Sequence, residues 1–234
     1  MRAMSASQAF AAASAAMVSG VDASSTVHVL LADVVRLLGA DTTGILVRGP
    51  GQGLELLAAD SHQATQLELH QANSDSGPCF DVVKTGNQID AVGADEVKQR
   101  WSDFGPHMIA AGFHTVHAFP MTWRGRVLGG LNIFWAKATE LTEEDARTAQ
   151  AFADTCTLAI MQSGEGDDSA ELNTKLRAVL SARVAIERAK GVLAQLHDID
   201  MASAFLRLIQ ISEETAQPLS VAAKEVIKSV HPSN

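Results

Sequence analysis

A short run of charged residues near the C-terminus contains the side chains best suited to binding a polyanion. Arg183, Glu187 and Lys190 recur at helical spacing, so they share one side of a helix. Gly191 follows directly, although a glycine inside a helix costs about 1 kcal/mol relative to alanine. Two explanations are open for it: close packing of a neighbouring helix, which is the commoner, or close approach of a nucleic-acid backbone.

The cysteine and histidine residues form no recognisable catalytic or metal-binding pattern. Cys79 and Cys156 are too few for a disulfide framework or a structural zinc set, and both fall in segments expected to be helical and buried. Cys79 opens its predicted helix, which could lower the pKa of its thiol. His114 and His117 are three residues apart on a predicted strand and face opposite sides, which argues against a shared metal or haem. We expect no catalytic residue, no metal and no cofactor.

Composition and charge indicate two domains. Hydrophobic residues make up 47% of the 234-residue chain, enough for a sizeable core. The net charge of −9 is uneven, because residues 1–168 carry 10 basic and 20 acidic residues whereas residues 169–234 carry 8 and 7. Only the C-terminal part can approach a polyanion without strong repulsion.

The N-terminal segment, residues 1–21, only loosely resembles a signal peptide. Ser and Gln interrupt its alanines, and no run of eighteen apolar residues occurs in the chain. We expect this segment to form a short amphipathic helix or a frayed arm. The prediction is a cytoplasmic protein with no membrane contact.

The periodicity of residues 22–162 predicts helices mixed with short strands. A helix is expected over 27–38, and another begins at a Thr142 cap with three acidic residues in its first turn. Further helices are expected after Gly77 and over 102–111. Strands are expected at 44–48, 54–58, 88–91, 114–120 and 127–135. Because hairpins are mixed with helices, the fold class is α+β with an antiparallel sheet.

The remainder of the chain is predicted to be all-α. Residues 163–168 are small, polar and acidic, and are the expected linker. Residues 169–234 then hold three helices with short connections, which form a small bundle. On the first of them, the residues expected to face the other two helices are Ile186, Ala189, Leu193 and Leu196.

One motif in this bundle is specific. Residues 186–193 read Ile-Glu-Arg-Ala-Lys-Gly-Val-Leu, followed by Ala204-Phe205 on the second helix and an apolar third helix. Over residues 172–230 this pattern resembles the ANTAR domain, a bacterial RNA-binding output module. The resemblance implies binding to RNA hairpins in nascent transcripts, which prevents a terminator from forming, and no binding to DNA. The residues expected to contact RNA are Arg183, Glu187, Arg188, Lys190, Gly191 and Arg207.

The sequence departs from the ANTAR pattern at four positions. Ile209 stands where a basic residue is common, Ala216 replaces a frequent Asn, Val221 a frequent Asp and Arg188 a frequent Gln. The loss of a basic position weakens the expected RNA contact more than the expected fold.

The first part of the chain, over residues 27–162, carries a second resemblance. Its first segment reads SGPCFDVVKTGNQI, and Trp101 follows it. The next segment, GFHTVHAFPMTWRGRVLGGLNIFW, consists of an apolar strand, a polar turn and a second strand that contains Leu-Gly-Gly-Leu-Asn. This pattern resembles the GAF domain, which often holds a small molecule between its sheet and covering loops. The candidate lining residues, which would otherwise be ordinary core, are Cys79, Trp101, Phe113, His117, Phe119, Leu131 and Ile133.

The two resemblances together imply a GAF domain (22–162) that senses a small-molecule or protein signal and controls transcription antitermination through an ANTAR domain (169–234). Two alternatives remain. One is a protein-interaction adaptor whose ANTAR-like module has lost its RNA contacts. The other is an enzyme, since some GAF domains reduce free methionine sulfoxide with paired thiols, although no resolving partner for Cys79 is evident.

A homodimer is also expected. Leu172, Leu176 and Val179 form a heptad-like seam on the predicted long helix. A lone helix would expose this seam to water, whereas a second copy would cover it.

Overall fold

The computed structural model describes residues 5–49, 51, 53–162 and 169–230. Residues 1–4 of the predicted arm, the predicted linker 163–168 and residues 231–234 lie outside the described part. The helices are α1 (Ala6–Val18), α2 (Ala23–Leu38), α3 (His62–Ser74), α4 (Pro78–Thr85), α5 (Ala94–Arg100), α6 (Phe104–Ala110), α7 (Glu143–Met161), α8 (Ser169–His197), α9 (Met201–Thr215) and α10 (Leu219–Val230). The strands are β1 (Thr42–Arg48), β2 (Leu54–Ala59), β3 (Ile89–Val92), β4 (Thr115–Trp123) and β5 (Arg126–Trp135).

The strands form one antiparallel sheet in the order β2-β1-β5-β4-β3. In its register, Ile45 of β1 lies opposite Leu131 of β5, and His117 of β4 lies opposite Ile133. Since side chains alternate along a strand, neighbouring residues point to opposite faces of this sheet. The predicted α+β class with an antiparallel sheet is confirmed.

One face of the sheet packs against α1, α2 and α7. Thr142 caps α7 through a capping box with Asp145, as its spacing predicts. The predicted N-terminal arm is a capped helix whose Phe10 ring lies 4.7 Å from the Phe152 ring of α7. Aromatic and aliphatic side chains from both layers fill the core between them.

The opposite face is covered by α3, α4, α5 and α6. Two of these helices, α3 and α5, are absent from the sequence prediction. On α3 the inward residues are Ala64, Leu67, Glu68 and Gln71. This spacing is helical, but half of the face is polar, so no apolar stripe marks the helix.

The long helix α8 belongs to two cores. Its first turns bury Leu176, Val179 and Leu180 in the core that contains α2 and α7. Its later turns bury Ile186, Ala189 and Leu193 against α9 and α10. The expectation that Leu196 faces this second core is wrong, because its side chain is 57% exposed.

The predicted exposed seam is also corrected. Leu176 and Val179 are covered by their own chain and do not need a second copy to exclude water. The side chain of Leu172, the third member of the seam, lies outside the described residues.

Candidate nucleic-acid interface

Gly191 opens onto a groove between α8 and α10. No atom of a packing partner, among the described residues, lies within 4 Å of the position that a Cβ on Gly191 would occupy. Among the described residues of this chain, no helix packs closely on this glycine, contrary to the commoner explanation. The groove has a volume of about 600 Å³ and is lined by Arg188, Gly191, Val192, Gln195, Leu196, Ile227 and Val230.

Lys190 lies on a different side of α8. Its Nζ donates to Glu187 Oε1 at 2.9 Å and lies 5.5 Å from the centre of the Phe205 ring. Only 16% of its side chain is exposed, less than a surface position would give. The charge of Lys190 is thus paired with that of Glu187, and its ammonium group makes a cation–π contact with Phe205 on α9.

The Phe205 ring connects this group to the GAF-like part of the chain. It lies 4.9 Å from the imidazole of His28 on α2. Burial lowers the pKa of His28, against a hydrogen bond with the Ser24 carbonyl that raises it, and the nearby Lys190 charge lowers it further. The His28 ring is therefore neutral at pH 7, which is compatible with the lysine beside it.

Asp22 forms a second link between the two parts. Its Oδ1 accepts from Ser25 N at 3.2 Å and caps α2, while its Oδ2 accepts from Leu219 N at 2.9 Å at the start of α10. One carboxylate thus satisfies backbone donors of two helices that are far apart in sequence.

The six predicted RNA-contacting residues occupy separate places. Arg188 and Gly191 line the open groove, whereas Glu187 and Lys190 face Phe205 and His28. Arg183 is half-buried, with Glu187 and Glu55 of β2 as its acidic neighbours. Arg207, on α9, pairs with Glu214 at 3.8 Å.

Three of the residues that depart from the ANTAR pattern lie in different environments. Ile209 lines a cleft that faces α1 and α2. Ala216 ends α9 with φ of 50°, a left-handed conformation that asparagine tolerates better than alanine. Val221 is exposed at the start of α10.

The seven predicted ligand-lining residues are all buried but do not come together. His117, Phe119, Leu131 and Ile133 point toward α2 and α7, where His117 bonds the Asp90 carboxylate and the Thr139 carbonyl. Cys79, Trp101 and Phe113 lie on the opposite face. Because the sheet separates the two groups, they cannot line one pocket.

A buried polar cluster on the α3 side escaped sequence reasoning. Glu68 accepts two hydrogen bonds from Asn132 Nδ2, at 2.8 and 2.9 Å, and one from Gln71 Nε2 at 3.2 Å. Gly44 leaves room for it, because a Cβ there would lie 2.6 Å from the Glu68 carboxyl. Burial raises the pKa of Glu68 to about 8, although the Asn132 hydrogen bonds lower it in part. In the sequence, the helical spacing of Glu68 and Gln71 is the only feature that indicates this cluster.

Neither thiol is poised for chemistry. Burial raises the pKa of Cys79 well above its ordinary value and that of Cys156 to about 12. The expected lowering of the Cys79 pKa is therefore wrong, because burial outweighs the helix start. The two cysteines lie in cores on opposite faces of the sheet. No group of three or more His, Cys, Asp or Glu among the described residues could hold a metal ion.

Comparison with known proteins agrees with this architecture. The GAF domain family model matches residues 21–161, and the ANTAR domain model matches residues 174–227. No curated protein sequence matches the chain. Within the described residues, none of the helices has the length and apolar character needed to cross a bilayer.

Solved GAF domains share the fold of the first part. That of an Acinetobacter phosphoenolpyruvate-protein phosphotransferase is 13% identical with a TM-score of 0.53, covering 70% of this chain and 100% of that one. The corresponding domain from Coxiella burnetii is 15% identical with a TM-score of 0.53, covering 68% and 95%. A phycoerythrobilin-bound GAF domain from a cyanobacterial phytochrome is 16% identical with a TM-score of 0.52, covering 68% and 96%.

The GAF match ends with α7, and the ANTAR match begins within α8, the helix that contributes to both cores. A GAF domain followed by an ANTAR domain is the arrangement of signal-transduction proteins that regulate by binding RNA. The chain belongs to the GAF-ANTAR family, with its GAF domain over residues 21–161 and its ANTAR domain over residues 174–227.

Proposed function

We propose that this protein is a signal-responsive regulator that binds RNA hairpins in nascent transcripts and prevents termination. The observation that carries the proposal is the Gly191 groove within the ANTAR domain. A glycine with no packing partner, next to Arg188 and Gln195, leaves room for a sugar-phosphate backbone to approach the helix.

The GAF domain controls this output through α8. The start of α8 is buried in the GAF core and its later turns in the ANTAR core, so a shift of one domain moves the other. Lys190 meanwhile faces His28 and Phe205. A signal that prefers one arrangement of the domains over another changes the exposure of Lys190 and hence RNA affinity.

The protein acts without catalysis and in the cytoplasm. Both thiols are buried and separated by the sheet, which supports a sensor over a thiol enzyme.

A homodimer is part of the proposal. Its support is the exposed apolar side chains on α8 and α9, of which Leu206 is 67% exposed.

The test is Gly191→Ala in the full-length chain. Alanine should stabilise α8 by about 1 kcal/mol, because its methyl group meets no neighbour. The same methyl group would obstruct an approaching backbone, so RNA affinity should fall about tenfold. Thermal melting and binding to RNA recovered by crosslinking in cells give the two readouts.

Arg177→Ala is the matched control, since Arg177 is an exposed cation on the same helix outside the groove. It should leave RNA affinity nearly unchanged. If Gly191→Ala binds the recovered RNA as tightly as the native protein, the groove is not the RNA site and the adaptor alternative gains support.

A further inference from the structure

A cleft of about 430 Å³ lies between the GAF domain and the ANTAR domain. On one side are α1 and α2, including the small side chains of Ala12 and Ala16. On the other side are α9 and the start of α10, including Phe205 and Ile209. Its size and mainly apolar walls are those of sites that bind small organic molecules.

The charged groups at this cleft are acidic. Asp22 and Glu213 line it, and the remaining ionisable lining residue is His28, whose ring is neutral. The described lining residues include no Lys or Arg, and Lys190, which lies beside Phe205 and His28, is paired with Glu187. A ligand with a positively charged end is therefore favoured over a neutral or negative one.

Both domains contribute walls, so the cleft exists only while they are docked. The bond from Leu219 N to Asp22 Oδ2 joins two residues that line the cleft from its opposite walls. A molecule that fills the cleft contacts both domains at once, and by mass action it stabilises this docked arrangement.

We propose that this cleft binds a small molecule with an apolar body and a protonated amine, and that its occupancy holds the ANTAR domain against the GAF domain. The site is separate from the seven buried positions inside the GAF domain. Docking places His28 of α2 over Phe205 and beside Lys190, so ligand binding keeps Lys190 covered and lowers RNA affinity. This last step rests on the proposed function, whereas ligand binding itself does not.

The test uses three probes of matched shape: 4-phenylbutylamine, 4-phenylbutanol and 4-phenylbutanoate. Calorimetry on the full-length protein without RNA should give the amine a dissociation constant of about 1 mM, a value typical of fragments of this size. The alcohol should bind more weakly and the carboxylate most weakly, because the cleft carboxylates repel it.

Two variants locate the site. Ala16→Leu places a larger, helix-compatible side chain into the cleft and should abolish binding of the amine. Ala15→Leu is the control, since Ala15 is exposed on the same helix and does not line the cleft. It should bind the amine like the native protein.

A charge variant tests the amine preference. Glu213→Gln should weaken binding of the amine about twofold to fivefold without affecting the alcohol, because Glu213 is exposed and its attraction is screened. Glu214→Gln makes the same change of net charge outside the cleft and should have no effect.

The site is overturned if the amine fails to bind, if Ala16→Leu binds it normally, or if the carboxylate binds as tightly. The coupling to RNA is read separately. If the amine binds but RNA affinity is unchanged in its presence, the proposed inhibition is wrong while the site stands. If the protein binds no RNA at all, the proposed function fails, and calorimetry alone still decides the site.

Discussion

Glu68 is a carboxyl group that the fold holds in its neutral form. It is buried beneath α3, and its pKa rises from an ordinary value of 4.5 to about 8. The unfolded chain therefore loses this proton at a lower pH than the native protein does. Between these two values the native state binds the extra proton, so stability falls as the pH rises.

Glu68→Gln should remove this dependence. The native protein is expected to lose stability from pH 4.5 to about 8, with a limiting slope of about 1.4 kcal/mol per pH unit from this group. Glutamine cannot ionise and still accepts from Asn132, so the variant should be the more stable protein at pH 8. Urea unfolding at several pH values measures both curves, and parallel curves would contradict the assignment.

Lys190 gives a second prediction at the level of single residues. Lys190→Ala should weaken RNA binding and reduce the salt dependence by about one ion, as expected for one lost phosphate contact. The melting temperature of the helices should drop only slightly, because Lys190 makes a cation–π contact with Phe205 and is not among the buried residues of the ANTAR core.

Lys224→Ala, at an exposed position on α10, controls for the loss of one charge. RNA binding unchanged by Lys190→Ala, together with unchanged melting, would make Lys190 an ordinary partner of Glu187. Loss of binding together with loss of folding would make Lys190 structural.

The helices show what the sequence reveals and what it does not. The capped, amphipathic α2 and α7 were predicted because their apolar stripes and capping residues are local signals. By contrast, α3 directs Glu68 and Gln71 inward, and α5 buries only Val97. Their stability comes from contacts with the sheet that no local pattern encodes.

The same limit applies to the candidate interface. Helical spacing placed Lys190 beside the core and Gly191 within α8, and the structure agrees. It did not show that Lys190 faces His28 while Gly191 faces a groove, because both facts depend on how α2 and α10 pack on α8. Spacing along one helix says nothing of which neighbour covers each side.

Asp22 allows a prediction about the contact between helices. Its two carboxylate oxygens cap α2 and α10, whereas the side chain of asparagine has a single acceptor oxygen. Asp22→Asn should therefore lose one cap, at a cost of about 1 kcal/mol, and should loosen the docking of α10 on α2. RNA affinity should rise as Lys190 becomes accessible.

Asp200→Asn is the control, because Asp200 caps α9 within the ANTAR domain through Oδ1. Asparagine retains that acceptor, so RNA affinity should not change. Faster proteolysis between the domains in Asp22→Asn alone would support the loosened contact. Equal proteolysis and equal RNA affinity in both variants would show that Asp22 does not hold the domains together.

The prediction that concerns the whole molecule is that it forms a homodimer. The Leu176 and Val179 seam is covered within the chain, so a dimer must use other surfaces, such as the exposed Leu206 and Leu196. Light scattering at micromolar concentration should give twice the chain mass of 24.7 kDa.

Leu206→Glu should shift the protein toward the monomer, because a charge in an apolar contact is costly. The matched control is Leu69→Glu, on the exposed side of α3 in the GAF domain. A monomer at all concentrations would contradict the dimer.

The bond between Asp22 and Leu219 also sets an order of events during synthesis. Its two partners are 197 residues apart in sequence, so it cannot form until the ribosome has completed the start of α10. The GAF domain and the segment with Lys190 and Gly191 are both made earlier. Each newly synthesised chain therefore passes through a stage in which Lys190 and Gly191 have been made, but the α10 wall of the Gly191 groove and the bond from Leu219 to Asp22 have not yet formed.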